Sequence, residues 1–97
     1  MANLILDGLS FETTHIRTQQ TNILLVQAPG GFVGCGYFDI GVANRVGDAA
    51  AIVTGVKTID EVLAAPVVRL SDKAREAGVT EGMTGREAAI LLHRAAS

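Results

Sequence analysis

The stretch "PGGFVGCGYFD", residues 29–39, holds four glycines, the single cysteine of the chain and an aspartate. Three chemistries fit those residue types. A glycine-rich turn can cradle an anion with backbone N–H groups, a thiol near a helix start can act as a nucleophile, and an aspartate can cap a helix. The glycine order is G-G-x-x-G-x-G. A dinucleotide fingerprint needs G-x-G-x-x-G, and a phosphate loop needs Gly-Lys-Ser/Thr, so neither is present. Gly34 and Gly36 flank Cys35 and lead toward a helix start, which leaves backbone donors that could hold a polar ligand. Asp39 opposes an anion there, because its carboxylate would occupy the same helix end. The plain alternative is a turn at Gly30-Gly31 and two glycines where another backbone passes close.

Cys35 is either a small buried hydrophobe or a thiol activated by the helix start four residues on. Only His15 and His93 could serve it as imidazole bases, and spacing places neither beside it. Asp39 is an N-cap whose other role would be to orient a group next to Cys35. Asn44 would hydrogen-bond a neighbouring segment or face a ligand. Arg86 falls at the start of the last helix, where a cation opposes the helix dipole by roughly 0.3–1 kcal/mol. It therefore needs a carboxylate such as Asp39, the carbonyl end of another element, or an anionic ligand. One cysteine and two distant histidines give no metal-ligand spacing. No G-x-S-x-G context supports a serine triad. No cofactor is named by any motif.

The elements that position these residues follow from periodicity. "NLILDG" is a short strand closed by Asp7-Gly8, a hairpin pair. In "LSFETTHIRT", Leu9, Phe11 and Thr13 share one face, while Ser10, Glu12 and Thr14 share a wet one. "NILLVQA" is a continuous apolar run of the kind that is covered on both faces. "FVGCG" is a further short strand. "DIGVANRVGD" is a short helix ending near Gly47, and "AAAIVTGV" is a buried strand. "TIDEVLAA" is a helix with Ile59, Val62 and Leu63 on one face, and Thr58 with Glu61 spaced as a capping box. "SDKAREAG" starts on Ser71 and ends on Gly78. "TGREAAILLHRAAS" repeats the capping box with Thr84 and Glu87, and its expected core stripe is Ala88, Leu91, Leu92 and Ala95. Ile90 falls off that stripe; it is either the edge of a wide stripe or a contact with another subunit, and the apolar composition favours the contact. The order is β-β-β-β-α-β-α-α-α. Strands come first and helices mostly later, so the expected fold is α+β: a mixed sheet of about five strands packed against three to four helices.

The totals bound the rest. The chain has 97 residues, enough for a single domain over residues 1–97. It is 48% hydrophobic but only 4% aromatic, so the core must be built from small aliphatic side chains. Mean hydropathy is +0.35, much apolar surface for so small a sphere to hide. A homo-oligomer is the expected outlet. Net charge is −2, with no basic run interleaved with aromatics, which argues against nucleic acid. No apolar stretch reaches the ~18 residues of a membrane span. The N-terminal apolar run is short and lacks a basic flank, unlike a signal peptide. Cytoplasm is the expected compartment.

Three motifs, "GCGYFDIGVAN", "GVKTIDEVLAAPV" and "GVTEGMTGREAAILL", together resemble the YunC-like family of small bacterial and archaeal proteins, a domain of unknown function. The resemblance covers nearly the whole chain. It falls on Cys35, Gly36, Asp39 and Asn44, on Gly55, Val56, Thr58, Ile59 and Asp60, and on Gly82, Met83, Gly85, Arg86 and Glu87. It implies a compact, oligomeric α/β-type domain and supplies no activity. It also implies a basic residue before Thr21-Asn22 and a tyrosine before the Cys-Gly strand, where this chain has Gln20 and Phe32.

The reading that follows is a small-ligand or regulatory binding module. Cys35 and Asp39 would be its reactive pair, and Asn22, Gly34, Gly36, Asn44 and Arg86 its ligand-binding residues. An enzyme using Cys35 as nucleophile or redox thiol is the first alternative. A purely structural oligomer is the second.

Overall fold

The computed structural model describes residues 2–96. The chain begins with four antiparallel strands. These are β1 (Ala2–Leu6), β2 (Leu9–Arg17), β3 (Asn22–Ala28) and β4 (Gly31–Gly34). Asp7 and Gly8 make the first hairpin, with φ of 55° and 74°. Two successive left-handed residues match the strand twist, and Asp-Gly supplies them at low strain. Leu6 then pairs with Leu9.

Helix α1 (Ile40–Val46) follows β4 and returns to β5 (Ala50–Ile52), which pairs parallel with β4. Then come α2 (Ile59–Ala64), the two-residue strand β6 (Arg69–Leu70), α3 (Asp72–Glu76) and α4 (Gly85–Arg94). The six strands form one mixed sheet in sequential order, β1 to β6. The α+β expectation holds, with strands concentrated in the first half. The sixth strand was not expected: two residues after Pro66 are too short for any alternation to show.

Register fixes which residues share a face. Phe11 pairs with Leu4, Val26 with both Thr13 and Val33, and Ala51 with both Val33 and Leu70. This row, with Leu24 and Cys35 in the same alternation, faces the core, where α4 and α2 pack. The Phe11 ring meets His93 of α4 edge-on at 5.1 Å between centroids. The predicted wet face of β2 is correct at Ser10 and Glu12, which are exposed. Strand β3 differs from its expected double coverage. Leu24 and Val26 are fully buried, but Ile23 and Leu25 on the opposite face are only half-buried.

The α4 stripe is also rotated by about one position. Its buried residues are Gly85, Ala88, Ala89 and Leu92, while Leu91 is half-buried and Ala95 is exposed beyond the helix end. Close backbone approach explains the shift. A Cβ on Gly85 would fall on the Val62 carbonyl of α2, and one on Gly30 would fall on the Leu92 carbonyl. Only glycine lets α4 settle against both neighbours. Ile90 is half-buried and packs at the edge of the core, so within one chain it belongs to the rim of a wide stripe.

Ser71 joins three elements. Its fully buried Oγ donates to the Asp48 carbonyl at 2.8 Å and accepts from the N–H of Ala50 at 2.9 Å. It also accepts from Ala74 N–H, which caps α3 as its place in the sequence suggested.

Candidate functional site

Parallel strands β4 and β5 lie side by side, and their chains leave in opposite directions. After Gly34 the chain turns, with the Phe38 N–H donating to the Cys35 carbonyl at 3.2 Å. It then enters α1 on the face that carries Phe32 and Gly34. Phe38 packs there, 5.5 Å from the Phe32 ring, and a Cβ on Gly34 would approach it to 2.6 Å. After Ile52 the chain runs through residues 53–58 into α2, which packs with α4 and β3 on the core face. Strand ends that send their connections to opposite faces open a crevice between them, the usual place for a ligand in sheets with parallel strands.

The crevice is present. It is an open cleft of about 450 Å³ with three walls: residues 20–22 before β3, residues 35–37 after β4, and residues 54–57 after β5. The β3 wall is held by a turn in which Thr18 Oγ1 accepts from the N–H of Gln20 and Thr21. The β5 wall is held by the α2 cap. Thr58 Oγ1 accepts from Glu61 N–H at 3.1 Å, and Glu61 Oε1 accepts from Lys57 N–H at 2.7 Å. Thus the capping box read from the sequence also sets the backbone that presents Lys57. Here the carboxylate reaches the residue before the cap rather than the cap itself.

Asn22, Cys35 and Gly36 are the sequence-selected residues that meet in this cleft. Cys35 is 5% exposed. Its Sγ accepts from Leu24 N–H at 3.4 Å and donates to the Asn22 carbonyl at 3.7 Å. Both partners are backbone groups, and no imidazole or carboxylate hydrogen-bonds the thiol among the described residues. Asn22 Oδ1 lies 2.8 Å from His15 Nε2. An amide oxygen only accepts, so that imidazole nitrogen carries the proton. Gly36 stands at the wall, where an added Cβ would come within 3.2 Å of the Thr54 methyl.

The other selected residues lie elsewhere. Asp39 caps α1, its Oδ1 accepting from Gly41 N–H at 2.8 Å, and it borders a separate depression with Phe32 and Val42. Its carboxylate is therefore not a wall of the cleft, and the objection it raised to a negative ligand does not apply there. Gly34 serves the packing of Phe38. Asn44 accepts from Asp72 N–H at 2.8 Å and ties α1 to α3. Arg86 pairs with Asp7 at 3.9 Å, and Arg94 takes the other oxygen of the same carboxylate at 3.7 Å. The partner that Arg86 required is thus the hairpin aspartate, not Asp39. Within one chain, Cys35, Asp39 and Arg86 do not share a concave surface.

Sequence reasoning missed Gln20, Thr21, Tyr37, Thr54 and Lys57 as cleft residues. In the "GVKT" segment, Gly55 and Val56 close the expected strand "AAAIVTGV" and Thr58 opens the expected helix, so local spacing does not mark Lys57 as a cleft residue. Tyr37 is 62% exposed and stands between the cleft and the depression beside Asp39. No group of three or more His, Cys, Asp or Glu residues is placed to hold a metal among the described residues. Nor is any helix among them long and apolar enough to cross a membrane.

A family model described as "Domain of unknown function (DUF1805)" matches residues 34–92. The chain belongs to this family. The DUF1805 match begins at the last residue of β4, so it contains two of the three cleft walls and leaves residues 20–22 outside. Over a longer stretch, the chain is similar to "Uncharacterized protein YunC" of Bacillus subtilis (strain 168), with 31% identity over 93 residues and 92% of each chain covered. It is also similar to the crystal structure of a protein of unknown function, TA1206 from Thermoplasma acidophilum. That pair has a TM-score of 0.89 and 30% identity, with 94% of this chain and 89% of the other covered. The fold around the cleft is thus shared with a solved structure, including the N-terminal strands that the DUF1805 match omits.

Proposed function

We propose that the chain is a binding module for a small polar ligand, held in the cleft between the ends of β4 and β5. The carrying observation is the divergence of α1 and α2 from two parallel neighbours, which opens the cleft at that point. Three further features support the reading. The walls combine amide, hydroxyl and ammonium side chains with exposed Gly36 and Gly55. The volume lies within the range of small-molecule sites. The walls also rest on capped or hydrogen-bonded turns rather than on free loops, so the cleft is preformed.

Reaction at Cys35 is supported less well. The thiol faces backbone partners and has no base in contact, whereas a nucleophilic cysteine needs one. Heteronuclear NMR titration of the whole chain with benzoate, benzamide, glucose and inorganic phosphate tests the binding reading. Shifts at the amides of Gly36, Gly55 and Lys57 from at least one probe, weakened by Tyr37→Ala, are expected. Absence of cleft shifts from all four at millimolar concentration would overturn it.

We also propose that the chain pairs with a second copy through the sheet face opposite α2 and α4. On that face Ile16 is 51% exposed and pairs directly with half-buried Ile23, with half-buried Leu25 beside it. Apolar aliphatic side chains on an uncovered strand face are what the apolar composition led one to expect. Sedimentation equilibrium should show a dimer or larger species that Ile16→Glu dissociates. A wild-type monomer at tens of micromolar would refute the pairing.

A further inference from the structure

The chemistry of the three walls selects a charge class of ligand. This inference rests on the reading of the cleft as a binding site. Residues 20–22, 35–37 and 54–57 contain one charged side chain, Lys57, and no carboxylate. Glu61 touches this segment through the Lys57 N–H but is not part of the lining. Asp39 caps α1, and Asp60, in the first turn of α2, is likewise not part of the lining. The lining itself thus carries a positive charge in a chain of net charge −2.

Hydrogen-bonding groups are available beside this charge. His15 donates to Asn22 Oδ1, which engages one lone pair of the amide oxygen and orients the amide, leaving the Asn22 N–H groups without a partner among the described residues. The Cys35 thiol donates to a backbone carbonyl, so its proton is committed as well. The N–H groups of Gly36, Tyr37, Gly55 and Val56 donate to no described residue. The carbonyls of Gly36, Tyr37, Gly55 and Val56 likewise accept from no described residue, so the backbone offers both donors and acceptors, and the one ionic group of the walls, Lys57, is a donor. A lining with one ammonium, free N–H groups and no carboxylate matches an oxyanion, because charged acceptors make the stronger hydrogen bonds. Tyr37, exposed at the edge of the cleft, offers a flat apolar surface to the body that carries the anion.

We propose that the cleft takes a small organic oxyanion, a carboxylate or a phosphate monoester. Lys57 and the Asn22 amide would hold its charge, and the Tyr37 ring would pack against its apolar body. Four probes of one shape test this: benzoate, phenyl phosphate, neutral benzamide and cationic benzylamine, titrated into the whole chain at matched ionic strength and followed by amide shifts.

Benzoate, phenyl phosphate or both should bind at Gly36 and Gly55 about tenfold or more tightly than benzamide. Which of the two binds better distinguishes the carboxylate source from the phosphate source. Added salt should weaken the anion and leave benzamide unchanged. Lys57→Met keeps the aliphatic stem and should remove the preference. Asn22→Asp keeps the His15 acceptor, adds a negative charge to the wall and should abolish anion binding. Benzamide binding the cleft as tightly as the anions would overturn the inference and leave the binding reading intact. Anion shifts confined to Arg86 and Arg94, or unchanged in Lys57→Met, would overturn it equally. No cleft shift from any of the four probes would overturn the inference and the binding reading together.

Discussion

His15 on β2 and Asn22 at the start of β3 are joined by a 2.8 Å hydrogen bond that fixes which end of the Asn22 amide is left for the cleft. The two residues are diagonal rather than directly opposed, since His15 pairs with Leu24 and Asn22 with Arg17. The imidazole thus acts on the cleft from outside it, by holding the orientation of a group that lines the wall.

Replacing His15 by alanine should therefore alter binding more than stability. His15 is exposed, so its removal should change unfolding free energy by less than about 0.5 kcal/mol. Loss of one orienting hydrogen bond is worth about 1 kcal/mol, or about fivefold in benzoate affinity. Chemical denaturation and NMR titration of the same variant separate the two effects. Equal affinity in His15→Ala would show that the amide needs no holding.

Cys35 should behave as a protected thiol. At 5% exposure, with both hydrogen-bond partners on the backbone, it should react with iodoacetamide far more slowly in the native chain than in guanidinium. Saturating benzoate should slow native labelling further, since the side chain borders the cleft. Native labelling as fast as that of the unfolded chain would reinstate the reactive-thiol reading.

What could be read from the sequence was local. Asp7-Gly8, the Thr58 and Thr84 caps and the Ser71 start each rest on residues within four positions of one another, so spacing alone reveals them. Gly47 ends α1 in a left-handed conformation for the same local reason. The cleft was only partly legible because its walls come from three separate segments. Lys57 reaches Asn22 and Cys35 only after the β4–α1–β5 crossover has formed. Arg86 illustrates the same limit. Its need for a counter-charge could be read from the helix start, but the partner, Asp7, sits at the far end of the chain. The identity of that partner depends on how α4 packs over the sheet, and no local spacing carries that information.

Ser71→Ala should destabilise the fold substantially. The hydroxyl is fully buried and serves both the Asp48 carbonyl and the Ala50 N–H, each at under 3 Å. Alanine keeps the packing but leaves the buried Ala50 N–H and the part-buried Asp48 carbonyl without their partner. Each unsatisfied group costs about 1–3 kcal/mol, so a loss of about 3 kcal/mol is expected. Urea denaturation should show the midpoint falling with an unchanged slope. A loss below about 1 kcal/mol would mean that water reaches both groups.

Gly85→Ala separates propensity from packing. Alanine is the better helix former, by up to about 1 kcal/mol in a helix interior and less at the first position that Gly85 holds, so an isolated α4 would gain slightly from the change. In the folded chain the new methyl falls on the Val62 carbonyl, a backbone atom that cannot rotate away. Overpacking against backbone should outweigh the gain, for a net loss of about 2 kcal/mol or more. Gly82, where an added Cβ meets nothing within 4 Å, gives a contrast. Its φ of +92° means that any loss on changing it to alanine comes from backbone strain alone. A stabilised Gly85→Ala would show that α2 and α4 can separate without penalty.

Glu87 gives a pH-dependent test of the α4 capping box. Its Oε1 accepts from Thr84 N–H at 2.9 Å and from the Thr84 hydroxyl at 3.1 Å. The backbone bond first, and the hydroxyl second, hold its carboxyl below the ordinary glutamate value, with a small opposing effect of desolvation. A carboxyl whose folded value is lowered contributes stability that is fully present above its unfolded value. That contribution falls away as pH drops through the folded one. Glutamine can still accept from Thr84 but carries no charge to interact with the helix start. Wild type should therefore be the more stable of the pair at neutral pH, and the gap to Glu87→Gln should close on acidification below the usual carboxylate range. Thermal unfolding of both chains across that range measures it. A gap that stays constant with pH would show that the capping bonds, and not the charge, carry the contribution.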